Sequence, residues 1–560
     1  MFIMEPQQTT TPDNTFYLGL CMAGAVSAGA YTAGVMDYLI EALQQWQDRK
    51  DRNEPGTPSH NVVIPVIGGA SAGGMTAIIT VAALSNGIKP VYPGTDIMAE
   101  HPENKLYHSW VDLTDRDMFP HLLNSDDING NGIVSLLNSS FIDQVADKAL
   151  KTDQQGAQRP AFIDPELKVF TTLTNLEGFG YNIGFSTNTP ADKYYMCIHN
   201  DYACFKLNGV DKPENGWIHL DFKQNINTDI ARDAAMATGA FPVGLQSRKI
   251  KRTALNVNNI PWCMNITTPF PITKEPWETL NVDGGIINNE PFEKVRDILK
   301  EKTGQHEYAD YQDPDKAQSI IVMIDPFPSS KPREFTPDTG LFKVMGATFS
   351  AMLSQMRAKP QVLHEAMDPR KFGQLLIAPS RRRTAPDGTT EDIAGDMAIA
   401  CGALGGFSGF LDKSFRVHDY FLGRFNCEIF LRNYFTVPAS ALENNLIFRN
   451  GYAGMDLTPF KAKDGAIQII PIFTPPTNDF PVPTFSNGSN WPVLKEADIE
   501  RFKPMIKQRV QALVIKAVNI SGFNKFLLWI GTKVVLNRTI SNFVLKTIKA
   551  SLRDHQLLNR

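Results

Sequence analysis

At 560 residues and 62.2 kDa the chain is long enough for roughly three to four domains, or one large domain with additions. With 40 glycines, 37 prolines, 42% apolar and 20% charged residues it is neither collagen-like nor generally disordered, and a net charge of -4 argues against whole-protein attraction to nucleic acid. Six cysteines (Cys21, Cys197, Cys204, Cys263, Cys401, Cys427), none in C-x-x-C spacing, are too sparse for a disulfide scaffold, a zinc ribbon or a thioredoxin-type site, so a reduced, cytoplasmic chain is expected.

The N-terminus carries Glu5 and Asp13 but no early Lys or Arg, and so lacks the basic start of a signal peptide. Residues 15–36 are uncharged, yet Gly, Ala, Ser27, Tyr31 and Thr32 keep the hydropathy too low for a membrane span. A strand over Phe16–Met22, a tight loop and a helix over Ala30–Trp46 are expected instead. Val62–Ile67 predicts a second strand, weakened by Pro65, followed by a helix over Gly74–Leu84. Asp127–Gly132 begins like a calcium loop, but Asn138 stands where a bidentate Glu is required, so a turn before a helix capped by Ser139 or Ser140 is expected, with no metal. Leu167–Leu173 and Ser319–Ile324 are further strand candidates. Strands alternating with helices argue for βαβ units and a mostly parallel, helix-covered sheet. Ser380–Gly395 and Thr474–Pro492 read as exposed loops or linkers, and Phe407–Phe435 as helical.

The C-terminus is the outlier in charge. Residues 501–560 hold seven Lys and five Arg against Asp554 alone, a net of +11, leaving -15 for the other 500 residues. Such asymmetry suggests an anionic partner, here a membrane surface. At about 100° per residue, Arg538, Lys546, Lys549 and Arg553 share an arc of roughly 80° opposite apolar residues, the pattern of an interfacial helix. With Trp529 they are the candidate membrane contacts. Charges interrupt the apolar stretch too often for it to cross a bilayer. The same pattern also suits two helices packed on the body with a solvated basic edge.

Three motifs bear on chemistry. Gly69-Ala70-Ser71-Ala72-Gly73 is a G-x-S-x-G between a predicted strand and a predicted helix, the setting of a nucleophile elbow with a free helix N-terminus beside it. Met22–Gly29 (MAGAVSAG) also joins a strand to a helix. It lacks the G-K-[ST] of a P-loop, and Val26 stands where a dinucleotide fingerprint needs glycine, whereas backbone N–H groups of an oxyanion hole need no particular side chain. Asp283-Gly284-Gly285 is by itself a turn signal. The nine histidines after Ser71 carry no triad signature, which leaves room for a base of another type.

Together the N-terminal glycine loop, the G-x-S-x-G about 45 residues later and the D-G-G some 200 residues further on resemble the patatin-like phospholipase family. The stretches GGASAGGMTA, Gly29–Val35 and Ala235–Pro242 add to the likeness, which covers roughly residues 16–330. The resemblance implies a patatin-like, three-layer α/β/α fold, here with a mostly helical C-terminal extension. With the catalytic domain set at 16–330 by the resemblance, the expected division adds an N-terminal tail (1–15) and, from composition and charge, an accessory mixed or helical region (331–495) and a basic amphipathic tail (496–560). The resemblance implies a lipid acyl hydrolase without cofactor, acting on a phospholipid or other fatty-acyl ester. Ser71 would be the nucleophile, Asp283 its base, Gly69 and Gly73 the elbow glycines, Gly284 and Gly285 the D-G-G pair, and Gly24, Ala25 and Val26 the oxyanion-hole candidates. The family pattern G-G-G-x-[KR]-G becomes Gly24-Ala25-Val26-Ser27-Ala28-Gly29 here, without two of the glycines or the basic residue. Two other readings stay open: a non-catalytic acyl-lipid or membrane-binding relative, and a Ser-His-Asp esterase.

Overall fold

After its first residue, Thr15, the run TFYLGLCM is apolar because it serves two faces at once. A computed structural model describes residues 14–112, 118–129, 132–151, 158–184, 193–208, 212, 214–263, 270–328, 340, 344, 347–348, 351, 372–384, 388–478, 480–517 and 537–559. In it this run is strand β1 (Thr15–Met22), buried at every position. Phe16, Leu18, Leu20 and Met22 enter one hydrophobic cluster, while Tyr17 and Cys21 enter a second on the opposite face. A two-residue alternation with both faces covered is what a central parallel strand requires.

The remaining strands that concern the site are β2 (Asn61–Gly69), β3 (Ile163–Gly184), β4 (Lys193–Lys206), β5 (Ile218–His219), β6 (Arg248–Arg252), β7 (Trp277–Asp283), β8 (Ser319–Ile324) and β9 (Gln374–Ile377). Their order is β5-β4-β3-β2-β1-β8-β9, with β7 also on β3 and β6 on β7. From β3 to β9 the sheet is parallel, whereas β4 and β7 run antiparallel to β3. Pro65 does not end β2. Both ladders of β2 shift register around it, and an irregularity of this kind lets a strand tolerate a missing donor.

Helices α1 (Gly29–Asp51) and α2 (Ala72–Asn86) contribute to the larger cluster, together with the helix Lys413–Asn433. The helix Phe292–Thr303 covers the other face through Val295, Ile298 and Leu299. The protein is thus a three-layer α/β/α fold with a mostly helical C-terminal region. That region shares the core: Phe415, Leu422 and Leu431, and Leu545, Ile548 and Leu552 of the helix Asn537–Asp554, belong to the same cluster as β1. The crossing of α1 with Lys413–Asn433 is close enough that a Cβ at Gly34 would lie 1.9 Å from the Tyr420 carbonyl oxygen. At that crossing buried Arg424 pairs with Asp37 and Glu41 of α1.

Two local expectations change, and a third holds in part. Ser380–Gly395 contains an antiparallel hairpin of Ser380–Thr384 with Thr390–Ala394, carrying the cross-strand pairs Arg382–Asp392 and Arg383–Glu391. Its solvent-facing composition resembles a linker, but opposite charges across a ladder support strand pairing. The helix expected over Phe407–Phe435 starts only at Lys413, after 3₁₀ turns at Ala400–Gly406 and Ser408–Phe410. Ser139 holds the N-cap position of the helix Ser140–Leu150, as expected, but its side chain makes no capping hydrogen bond; Asn138 Oδ1 instead accepts the Ser140 N–H at 3.0 Å. Among the described residues, no helix is long and apolar enough to cross a membrane.

His60, at the start of β2, is fully buried against the rings of Trp46, Phe448 and Tyr452, with Nε2 2.9 Å from the Ile469 carbonyl oxygen. Burial pushes its pKa down to about 3, so the unfolded chain takes up a proton that the folded chain refuses. Stability is therefore lost as pH falls from about 6.5 towards 3, by up to about 1.4 kcal/mol per pH unit. In urea titrations between about pH 7 and about pH 5, wild type should lose stability more steeply than His60→Gln. Parallel slopes would contradict this.

Candidate active site

Between the end of β2 and the start of α2 only Ala70 and Ser71 reverse the chain. Ser71 takes φ 50° and ψ -127°, a strained backbone for any residue but glycine. Its N–H donates to Thr238 Oγ1 at 2.8 Å, and its carbonyl accepts the Met75 N–H at 2.9 Å. The flanking glycines allow the turn to sit against its neighbours. A Cβ at Gly73 would lie 2.2 Å from the Met22 carbonyl oxygen, and one at Gly69 would lie 2.6 Å from the Gly73 carbonyl carbon.

Asp283 ends β7. Its N–H donates to the Ala240 carbonyl at 2.9 Å, and its own carbonyl accepts from Thr174 Oγ1 at 2.8 Å. Its carboxylate is held at both oxygens. Oδ1 accepts the Gly285 N–H at 2.7 Å, and Oδ2 accepts the Ser71 hydroxyl at 2.7 Å. The glycine after it is sterically required, since a Cβ at Gly284 would meet the Thr172 carbonyl oxygen at 2.0 Å. Strand β3 acts as the common ruler: Gly69 pairs with Thr171, and Asp283 pairs with Leu173 two residues on. Two side chains 212 positions apart thus meet through one strand.

The loop after β1 closes over this pair. A Cβ at Gly24 would come within 2.9 Å of Ser71 Cβ. Among the described residues, the Gly24 and Ala25 N–H groups donate to no protein acceptor. They are thus available to an anion beside Ser71. Val26, where the family pattern has glycine, nevertheless takes φ 50°. A β-branched residue in that region costs on the order of 1–3 kcal/mol, so the surroundings must hold it there.

Ser71 and Asp283 line an apolar cavity that is partly open to solvent. Met75, Trp110, Ile142, Leu150, Phe241 and Leu245 contribute to its wall, and Phe407 and Phe410 enter from the C-terminal region. Phe407 packs edge-on against Phe241 with ring centroids 5.9 Å apart. Among the described residues no histidine lines this cavity; His364 lies outside them. Nor do the described residues hold a cluster of three or more His, Cys, Asp or Glu suited to a metal ion. The calcium-like Asp127 instead accepts from Arg509 of the helix Lys503–Ala517.

The basic stripe divides. Lys546 is exposed, but Lys549 pairs with Glu496 at 3.1 Å and Glu500 at 2.6 Å, and Arg553 also pairs with Glu496. Trp529 and the Arg538 side chain lie outside the described residues. Exposed apolar side chains gather elsewhere. Ile133, Val134 and Leu280 line a shallow depression that shares Met236, Gln246 and Arg248 with the cavity, and exposed Val243 and Leu136 are joined by a 2.8 Å backbone hydrogen bond.

Thr238, Thr174 and the aromatic wall of Phe407 and Phe410 belong to no motif of the sequence that assigns them a role. Thr238 lies in the family-like stretch Ala235–Pro242, which signals its place but not its bond to the Ser71 N–H. Phe407 and Phe410 carry no local signal, because nothing nearby ties them to Asp283, more than 120 residues before, or to Ser71, more than 330 before.

The Patatin-like phospholipase profile matches residues 20–296. An uncharacterized protein, y4iI, of Sinorhizobium fredii (strain NBRC 101917 / NGR234) is 31% identical over 468 residues, which is 76% of this chain and 65% of that protein. This chain therefore spans about 65% of the length of that relative. The crystal structure of VipD from Legionella pneumophila aligns with 96% of this chain and 91% of that one at 11% identity and a TM-score of 0.19, too low to carry an argument. Residues 20–296 are thus a patatin-like phospholipase domain by this match.

Thr238→Val keeps the shape of the side chain but removes the acceptor of the buried Ser71 N–H. The unsatisfied donor should cost about 1–3 kcal/mol in chemical denaturation. An unchanged midpoint would show that Thr238 does not hold the turn.

Proposed function

We propose that the protein is a lipid acyl hydrolase of phospholipase A or lysophospholipase type, a serine carboxylic-ester hydrolase using a Ser71–Asp283 dyad. The observation that carries this reading is the 2.7 Å hydrogen bond from Ser71 Oγ to Asp283 Oδ2 at the mouth of an apolar cavity. That distance lies within the reach expected of a general base. In the first half-reaction Asp283 takes the hydroxyl proton as Ser71 Oγ bonds to the ester carbonyl carbon. The oxyanion that forms is met by the free N–H groups of Gly24 and Ala25. The tetrahedral species then expels the alcohol, to which Asp283 returns the proton, leaving an acyl-Ser71 ester. In the second half-reaction water gives its proton to Asp283 and its oxygen to the acyl carbon, and free fatty acid leaves as Ser71 regains a proton. The cavity wall is apolar enough to take a fatty chain out of water.

The substrate class implies action at a lipid surface, and the protein is read as a peripheral membrane enzyme. The exposed Val134, Leu136, Val243 and Leu280 beside the cavity support this more directly than the tail, whose Lys549 and Arg553 are already ion-paired.

Fatty-acid release from phospholipid vesicles tests the dyad. Ser71→Ala and Asp283→Asn should each lose about 10²–10⁴-fold or more; equal rates in all three proteins would remove the dyad. Vesicle sedimentation tests the surface. Val134→Asp and Val243→Asp should weaken binding to anionic vesicles while leaving hydrolysis of a monomeric short-chain ester near wild type. Undiminished vesicle binding would reject these residues as the contact.

A further inference from the structure

The strained Val26 has a brace, and it comes from nearly 400 residues away. Next to it, Ser27 is 1% exposed. Its hydroxyl donates to the Gly406 carbonyl and accepts the Gly409 N–H at 3.0 Å. The contact has no room to spare. A Cβ at Gly406 would lie 3.1 Å from Val26 Cβ, and one at Gly409 would lie 2.5 Å from Ser27 Oγ. The segment that grips Ser27 is itself fixed. The Ala400 and Cys401 N–H groups each donate to the Asp419 carboxylate at 2.8 Å, and Ser408 Oγ donates to the Ala400 carbonyl at 2.8 Å. The Leu404 N–H donates to Ser551 Oγ at 2.8 Å, which links the segment to the helix Asn537–Asp554. The same turn carries Phe407 and Phe410 into the cavity wall.

We infer that Ser27 is a positioning residue for the oxyanion loop, and that the segment 400–410 clamps it there, replacing the conformational freedom of the glycines this loop lacks. The inference rests on the acyl-hydrolase reading. A glycine reaches positive φ without strain, whereas Val26 needs an outside constraint to stay there. With the clamp in place, the Gly24 and Ala25 N–H groups keep their aim at the position beside Ser71. The C-terminal region is then part of the catalytic apparatus rather than an appendage to it.

The test compares wild type, Ser71→Ala, Ser27→Ala and Ser551→Ala, with folding checked by circular dichroism and thermal melting. Three readouts are taken: kcat and KM on p-nitrophenyl butyrate, affinity for a long-chain alkyl trifluoromethyl ketone, and affinity for palmitate. The ketone forms an oxyanion on Ser71, whereas palmitate occupies the cavity without one. Ser27→Ala should lower kcat by about 10–100-fold with KM within about two-fold. Ketone affinity should fall in parallel while palmitate affinity holds. Ser551→Ala, remote from Ser71, should change the same quantities in the same direction by a few-fold. Unchanged kcat and ketone affinity in folded Ser27→Ala would overturn the inference, as would unchanged values in Ser551→Ala if Ser27→Ala does not fold. Equal loss of palmitate affinity would also overturn it, since that marks general damage to the cavity. Wild-type activity indifferent to Ser71→Ala would reject the hydrolase reading itself, and the inference with it; Ser71-dependent activity indifferent to Ser27→Ala would reject the inference alone.

Discussion

The hydrogen bond between Ser71 Oγ and Asp283 Oδ2 joins two turns that local sequence alone would leave unrelated. Its geometry depends on β3. That strand runs parallel to β2 and antiparallel to β7, so the ends of both arrive at Thr171 and Leu173, two residues apart on one ladder. The Thr172 carbonyl between them excludes any side chain at Gly284, and Thr174 holds the Asp283 carbonyl. Gly284 is thus a consequence of crowding around β3, whereas Gly69 and Gly73 answer to crowding within the elbow and against the end of β1. A rigid strand of this kind sets the Ser–Asp separation more tightly than a pair of surface loops could.

The C-terminal region is bound to this arrangement by burial and by charge. Arg424 joins it to α1, and Arg509 reaches Asp127 and the Ser135 and Leu136 carbonyls beside the exposed apolar patch. Removing one partner from a buried ion pair leaves an uncompensated charge, so these contacts tie the regions together even where the pair itself adds little net stability. Much of the excess positive charge at the C-terminus therefore has internal uses. Arg509, Lys549 and Arg553 face acids of the same molecule, and the charge count alone could not show how many basic residues remain for an outside partner.

The parts legible in the sequence were those whose cause is local. Phe16–Met22 and Ser319–Ile324 read as strands because burial on both faces leaves them almost wholly apolar, with Ser319 at one end. The G-x-S-x-G and D-G-G sites were visible because close backbone approach demands glycine at fixed offsets. The resemblance joined the two sites and supplied the three-layer fold; composition and periodicity did neither. The parts that were not legible depend on distant partners. Ser380–Gly395 looked like a linker because its strands pair charge with charge in solvent. The glycine-rich stretch Gly402–Gly409 carried no local sign that it would close over Ser27. The departures of the loop after β1 from the family pattern are legible, but the contacts of Ser27 with Gly406 and Gly409 are not, because they lie in another part of the chain.

The central claim is that Ser71 becomes covalently acylated with the help of Asp283. The most direct measurement is to mix the protein rapidly with a fluorescent-chain phospholipid, quench in acid, and locate the adduct by peptide mass spectrometry. The account predicts a fatty-acyl ester on the peptide containing Ser71, formed rapidly by wild type and far more slowly by Asp283→Asn. A hydrolysing wild-type protein with no adduct on that peptide at any quench time, or one acylated at the same rate with Asp283 replaced, would contradict it.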